Sequence, residues 1–200
     1  MGTPKGERRR DELIAAAAAL LGSGGFDAVR HRAVAEKAGL PLASTTYYFS
    51  SLDELITAAV ERHGRDGLAE GRARLAALTG QNPTQGQPVD EAELVELFLD
   101  QLLGTASRDG GLDVVLLRYE QLVGSGRRPY LAPLMRALRV EFDALLTEIL
   151  ERAGRRTDEA ALRDLVRIID GAVISALIEA DPDPRSVARA VLVASLKHVG

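Results

Sequence analysis

The 200-residue chain has no cysteine and no tryptophan. Without thiols it can hold neither a disulfide framework nor a thiolate metal site. Aromatic residues are scarce: four Phe and four Tyr. Phe26, Tyr47, Tyr48 and Phe49 all fall within the first 50 positions. No apolar run approaches the ~20 residues of a membrane-spanning helix. No alternating, β-branched run bounded by turn residues argues for a strand. The basic start, Met1 to Arg10, leads into the amphipathic Leu13 to Leu21 without a cleavage-site pattern, so no secretory signal is read and cytoplasmic residence is expected. Enzymatic signatures are lacking as well. His31, His63 and His198 are far apart and none stands in an HExxH frame; there is no G-x-S-x-G elbow, no Walker loop and no G-x-G-x-x-G opening a helix. Acid pairs such as Asp53-Glu54 sit where a helix N-terminus favours negative charge. Neither a catalytic residue, a metal site nor a cofactor is expected.

What is present is an ordinary globular balance, 46% hydrophobic and 27% charged. Two hundred residues bury a sizeable core, as one domain or as a small one plus a larger one. The charge is unevenly placed. Residues 1–50 hold seven Lys/Arg against five acids, a net +2, while the whole chain is −4, which leaves −6 on residues 51–200. A basic head on an acidic body orients the head toward a polyanion. Lys5 and Arg8 to Arg10 read either as a flexible arm touching phosphates or a minor groove, or as a solvated terminus.

The segment from Arg32 to Leu55 is the most informative. Val34, Ala35 and Ala38 form the apolar stripe of a short helix, and Gly39 stands where a helix ends in a left-handed residue. A second short helix spans about Leu42 to Phe49, although Thr45, Thr46 and Tyr47 are weak helix formers that packing must hold. Ser51 with Glu54 forms a capping box for a long helix from Leu52 to about Leu78. Two helices joined by a glycine turn make a helix-turn-helix, whose second helix can enter the major groove.

In Phe26, Val34, Ala35, Ala38, Gly39, Tyr48, Phe49 and the Asp53-Glu54-Leu55 helix start, with Leu13, Ala17 and Gly25 upstream, the chain resembles the DNA-binding domain of the TetR family of transcriptional regulators. The likeness covers roughly the first 60 residues. Ala43 departs from a frequent glycine. Leu52 departs from a frequent lysine that touches a phosphate. The resemblance implies an all-α fold, with a three-helix head over residues 1–51 and a body of about six helices over 52–200. It further implies operator DNA, a small-molecule effector and a homodimer as partners.

A recognition helix reads bases with its N-terminal residues and holds phosphates from its flanks. Leu42, Ala43 and Ser44 then lie at the groove edge, the first two limited to apolar contacts such as thymine methyls. Thr46 and Tyr48 match phosphate-contacting positions of the family. Tyr47 points to the groove or packs inward; Phe49 belongs to the core. Arg30, His31 and Arg32 open the preceding helix, and Arg32 is expected to reach a base or phosphate. The second helix has no Asn, Gln, Arg or Lys for two-pronged base readout, so specificity leans on Arg32, the arm and DNA shape.

The rest reads as helices. Gly64, Gly67 and Gly71 predict a bend in the long helix. Residues 79–89 form a linker-like run. Helices follow from Asp90 to about Ser107, Leu112 to Val123, Leu131 to Ala153 and Asp158 to Ala180, with a last one opened by Asp183 and Pro184. In the penultimate helix Gly171 with Ser175, and Ala172 with Ala176, are four apart and allow close approach. With Ile168, and with Val187 and Val191 of the last helix, they suit half of an intermolecular bundle, the alternative being internal packing. Arg118 lies in a helix apolar on most sides and needs a partner, a ligand carboxylate or one of Glu120, Glu141 and Asp170. Phe98, Arg118, Tyr119, Met135, Phe142 and Asp170 are the candidate effector contacts. So few aromatics argue for an amphipathic or aliphatic effector, anionic if Arg118 is free, rather than a stacking planar cation.

The expectation is thus a ligand-responsive regulator, a repressor that binds palindromic operator DNA as a homodimer and is released by a small-molecule effector. A non-DNA-binding, all-helical adaptor is the alternative from another class. It leaves the glycine turn and the Thr-Thr-Tyr-Tyr-Phe run without a role.

Overall fold

The computed structural model describes residues 4–80, 90–109 and 111–197. Among them there is no strand. The helices are α1 (Pro4–Ala28), α2 (His31–Ala38), α3 (Leu42–Tyr48), α4 (Leu52–Gly80), α5 (Glu91–Leu103), α6 (Gly111–Gly126), α7 (Ala132–Arg152), α8 (Glu159–Ile178) and α9 (Pro184–Leu196). The all-α reading holds, with three head helices and six after them. Most of the linker-like run, from residue 81 on, lies outside the described residues, as does His198.

The helix ends follow side-chain chemistry. α2 stops at Gly39 with φ +65°. There the Gly39 N–H reaches the Glu36 carbonyl and the Leu40 N–H reaches the Ala35 carbonyl, at 3.1 and 3.0 Å. Such a left-handed stop sets the angle between α2 and α3. Ser51 Oγ accepts the Glu54 N–H at 3.1 Å. Glu54 reaches back to Ser50 rather than Ser51, accepting both its N–H and its hydroxyl at 2.7 Å. These bonds hold the Glu54 carboxyl below the usual range. Asp90, Asp158 and Asp183 cap α5, α8 and α9 through the N–H groups of Ala92, Ala161 and Ser186.

One expectation is corrected. Lys5 and Arg8 to Arg10 are turns of α1, not a flexible arm. Pro4 suits a first helical position and Glu7 lies in the first turn, so helix extends outward from the buried Leu13 to Leu21 face. Arg8 faces Glu12 at 3.5 Å, and the Arg10 guanidinium lies 5.0 Å from the Phe49 ring centroid. The interruption in α1 comes instead at Gly24 and Gly25, where the backbone is not helical. In turn, α4 runs as one helix through Gly64, Gly67 and Gly71. Two of these glycines permit close packing: a Cβ on Gly64 would come 2.8 Å from Leu138 Cδ1, and one on Gly71 would overlap the Gln101 amide.

The chain forms two compact units, residues 1–66 with 120–138, and residues 67–119 with 139–200. The first is built on Leu13, Ala17, Leu21, Val34, Phe49, Leu55, Ala59 and Leu131, all buried. Segment 120–138, which the sequence places in the body, is therefore part of the packing that holds the head. Its Leu134 and Met135 lie against that core. Gln121 donates to the Leu21 carbonyl at 2.7 Å. The Arg128 guanidinium stacks 3.8 Å from the Phe26 ring centroid.

The second unit buries Leu94, Phe98, Leu99, Leu103, Leu146, Ile149, Ile169, Val173 and Leu192. Each such side chain contributes about 1.5–3 kcal/mol by leaving water. Asp100 is fully buried within it and faces three guanidinium groups: Arg74 at 2.6 Å, Arg108 at 2.7 Å and Arg185 at 2.9 Å. Glu96 takes Arg185 at 2.7 Å and Arg189 at 2.6 Å. This network ties α4, α5, the turn at Thr105–Arg108 and α9 together. Among the described residues no helix is long and apolar enough to cross a membrane.

Candidate functional site

α3 sits on the surface of the first unit with one side held in the core. Thr45 is fully buried and its hydroxyl donates to the Leu42 carbonyl at 2.8 Å. Phe49, 1% exposed, anchors the far end. These two positions fix which way the helix faces. Leu42, 52% exposed, Ala43, Thr46 and Tyr47 point outward. Tyr47 is 81% exposed, which resolves the two orientations in favour of the outward one. Tyr48 is half-buried and packs against the core. The two rings meet edge to face, 4.9 Å between centroids, so the exposed ring rests on an anchored one. Thr46 donates to the Ala43 carbonyl at 3.2 Å, which orients its hydroxyl along the helix. Ser44 is half-buried.

At the start of α2, Arg30 and Arg32 are exposed. Arg30 Nε donates to the Asp27 carbonyl at 3.0 Å, so its reach is partly committed. Arg32 carries no such bond. His31 is turned partly inward, with Nδ1 buried and unbonded. No side chain caps the N-terminus of α2 or of α3. Leu52 packs against the core; the start of α4 presents no cation there.

The six proposed effector contacts divide between the two units. Met135 belongs to the first, against the head core, whereas Phe98, Arg118, Tyr119, Phe142 and Asp170 belong to the second. Phe98 borders a small apolar recess with Leu94, Val95, Ile149, Leu150, Leu192 and Leu196. Its cavity volume of about 10 Å³ is far below the ~300 Å³ at which ligand pockets begin. Phe142 is half-buried with the Arg139 guanidinium 5.7 Å from its ring centroid. Tyr119 and Asp170 do meet: the phenol donates to Asp170 at 2.7 Å. Burial, and then that carboxylate, push the Tyr119 pKa up. Arg118 makes no ion pair among the described residues; desolvation pushes its pKa down.

On α8, Ile168 (55% exposed), Gly171 and Ser175 are exposed, and Ala172 half-buried. Ala176 faces the interior, so only one of the two small-residue pairs lies outside. On α9, Val187 and Val191 are half-buried. The structure adds Ile174, Ile178 and Val193 to the outer face. A sequence signal existed for Ile178: Ile168, Gly171, Ser175 and Ile178 are spaced 3, 4 and 3 apart along a single helix face.

Residues 13–59 match the family model of bacterial regulatory proteins, tetR family, and residues 89–198 match that of the Tetracyclin repressor-like C-terminal domain. No curated protein sequence matches significantly. Among solved structures, multidrug binding protein EbrR in complex with proflavin is 32% identical, with 94% of this chain and 99% of that chain aligned at a TM-score of 0.64. The ethidium complex of EbrR is 33% identical over 94% and 97% of the two chains, TM-score 0.62. A TetR-family member from Streptomyces coelicolor A3 is 31% identical over 94% and 97%, TM-score 0.58. With both family models in order and these relatives aligned over nearly their full length, the chain belongs to the TetR family of transcriptional regulators.

Proposed function

We propose that the protein is a repressor that binds palindromic operator DNA as a homodimer and is released by a small-molecule effector. The observation that carries the reading is the outward face of α3: Leu42, Ala43, Thr46 and Tyr47 exposed together on a helix whose other side is fixed by Thr45 and Phe49. Residues 1–51 are the DNA-binding domain in this reading and 52–200 the effector-binding and dimerisation domain. Exposed Tyr47 and Leu42 offer stacking and methyl contacts in a major groove. Arg32, the Thr46 hydroxyl and Tyr48 serve the flanking phosphates. A second copy docks on the outer face of α8 and α9, which gives the twofold symmetry that a palindrome needs.

Release follows from linkage. An effector that prefers the DNA-incompetent spacing of the two heads weakens binding by its differential affinity, of order 1–3 kcal/mol. α4, α6 and α7 each contribute residues to both packing units, so these helices are the covalent routes from effector to head. EbrR is a multidrug-binding protein with proflavin and ethidium complexes, which supports a small-molecule effector here. The test is footprinting on the DNA upstream of the gene across a salt series. A protected palindrome whose affinity falls steeply with salt is expected; equal binding to any fragment, or none, refutes the reading.

A further inference from the structure

The cations of the second unit are mostly satisfied. Arg74, Arg108 and Arg185 converge on Asp100, and Arg189 pairs with Glu96. Arg118 differs. It has no hydrogen bond or ion pair among the described residues, and its Nε is fully buried without a partner. Asp170 attracts it, but from beyond ion-pair distance, and already accepts the Tyr119 hydroxyl. Desolvation acts on Arg118 more strongly than either neighbour, yet part of its surface stays accessible. The side chain is thus half-buried, with its Nε shut away from water and the rest of the group still reachable. A guanidinium does not give up its proton in a protein, so the charge persists there, at a cost that only a partner offsets.

We propose that Arg118 is the anchor of the effector site and that the effector is an organic anion, a carboxylate on an apolar body held by the planar guanidinium. This rests on the effector reading above and narrows it. A carboxylate matches the two-pronged donor geometry of the guanidinium. A planar dye cation would set like charge against Arg118. The aliphatic second unit, with Phe98, Tyr119 and Phe142 as its few rings, suits an apolar body without extended stacking.

The experiment compares wild type, Arg118→Met and Arg118→Lys by thermal shift and titration calorimetry. The probes are sodium octanoate, sodium salicylate, 1-octanol and proflavin. Without probe, Arg118→Met should melt several degrees higher, because it removes an unpaired desolvated charge. At least one carboxylate should stabilise wild type, bind Arg118→Met at least tenfold more weakly and be partly recovered by Arg118→Lys. Octanol should not discriminate, and proflavin should prefer Arg118→Met. A lower melting temperature for Arg118→Met shows that Arg118 holds the fold and overturns the proposal. So do carboxylates that bind wild type and Arg118→Met alike, or neither, and proflavin binding that the substitution leaves unchanged. DNA binding to the upstream fragment is measured on the same preparations without probe. If it is intact while the carboxylate results fail, the anion proposal alone falls; if wild type does not bind DNA, the regulator reading falls.

Discussion

The side-chain amide of Gln121 donates a 2.7 Å hydrogen bond to the backbone carbonyl of Leu21, 100 residues earlier in the chain. Leu21 lies in the last regular turn of α1, just before Gly24 and Gly25 leave helical geometry. Gln121, on α6, gives that carbonyl a side-chain donor in a buried setting. Gln121→Met keeps the volume and removes the donor. It should cost about 1–3 kcal/mol, a fall in melting temperature of roughly 2–4 °C per kcal/mol for a chain of this size. A melting temperature unchanged from wild type would mean that the bond contributes nothing.

The head makes a sharper separation of stability from binding. Tyr47→Ala removes a ring that is mostly in solvent, so folding should change by less than ~0.5 kcal/mol while DNA affinity falls about tenfold. Phe49→Ala should do the reverse damage, destabilising the head by about 3–5 kcal/mol. Arg32→Ala should lower affinity by about 1–3 kcal/mol and relax sequence preference if it reaches a base. Tyr48→Phe should weaken binding to all sequences alike. Paired urea melts and mobility-shift titrations decide; a Tyr47→Ala that binds DNA as wild type does removes α3 from the interface.

Much of this was legible in the sequence, and the limits have physical causes. Helix existence followed from caps and breakers acting locally: Gly39, Asp90, Asp158, Asp183 and Pro184 act within a few residues of themselves. The orientation of Tyr47 did not follow, because Thr45 rather than Tyr47 fills the inward position and a threonine reads as polar. The Asp100 network was not legible either. Its members, Arg74, Asp100, Arg108 and Arg185, are brought together from three helices and a turn, and nothing in the local pattern distinguishes them from solvated charges. Met135 illustrates the same limit for the effector site. An apolar residue on a body helix looks alike whether it lines a ligand site or, as here, supports the head.

Acid should loosen the second unit through Glu96. Its pKa is lowered from 4.5 to about 2, with the hydrogen bond from Arg189 as the largest cause and Arg185 adding to it. A depressed carboxylate contributes stability above its unfolded pKa and loses it as pH falls through the folded one. The window is therefore from about pH 4.5 down to about pH 2, and the contribution lost is on the order of 2–3 kcal/mol. Glu96→Gln should be less stable than wild type at neutral pH and should flatten the stability profile across that window. Urea midpoints at several pH values provide the check; parallel profiles would show that Glu96 is not the titrating group.

Two glycines should respond in opposite directions to alanine. Gly67 is exposed on α4, and a methyl group placed there would meet only open space, so Gly67→Ala should stabilise by about 0.4–1 kcal/mol through the unfolded chain. Gly39 also has open space, but its φ of +65° imposes backbone strain on any L side chain. Gly39→Ala should destabilise by about 1–2 kcal/mol and weaken DNA binding by shifting α3. Equal effects at the two sites would mean that the αL stop at Gly39 does not govern the turn.

The dimer face admits a test free of the usual ambiguity. A substitution at a close helix contact often unfolds the chain as well as separating the copies. Gly171 avoids this, since nothing in its own chain lies within 4 Å of a Cβ placed there. Gly171→Leu should leave each chain folded, with an unchanged helical signal, and should overfill only the contact with a second copy. Ile178, 79% exposed on the same face, gives an independent disruption as Ile178→Asp, which sets two like charges near the twofold axis. Light scattering at micromolar concentration should report a dimer for wild type and monomers for both variants. Operator affinity should drop to that of a single head. A wild-type monomer, or variants that remain dimeric, would place the interface elsewhere, and the palindromic operator would lose its structural basis with it.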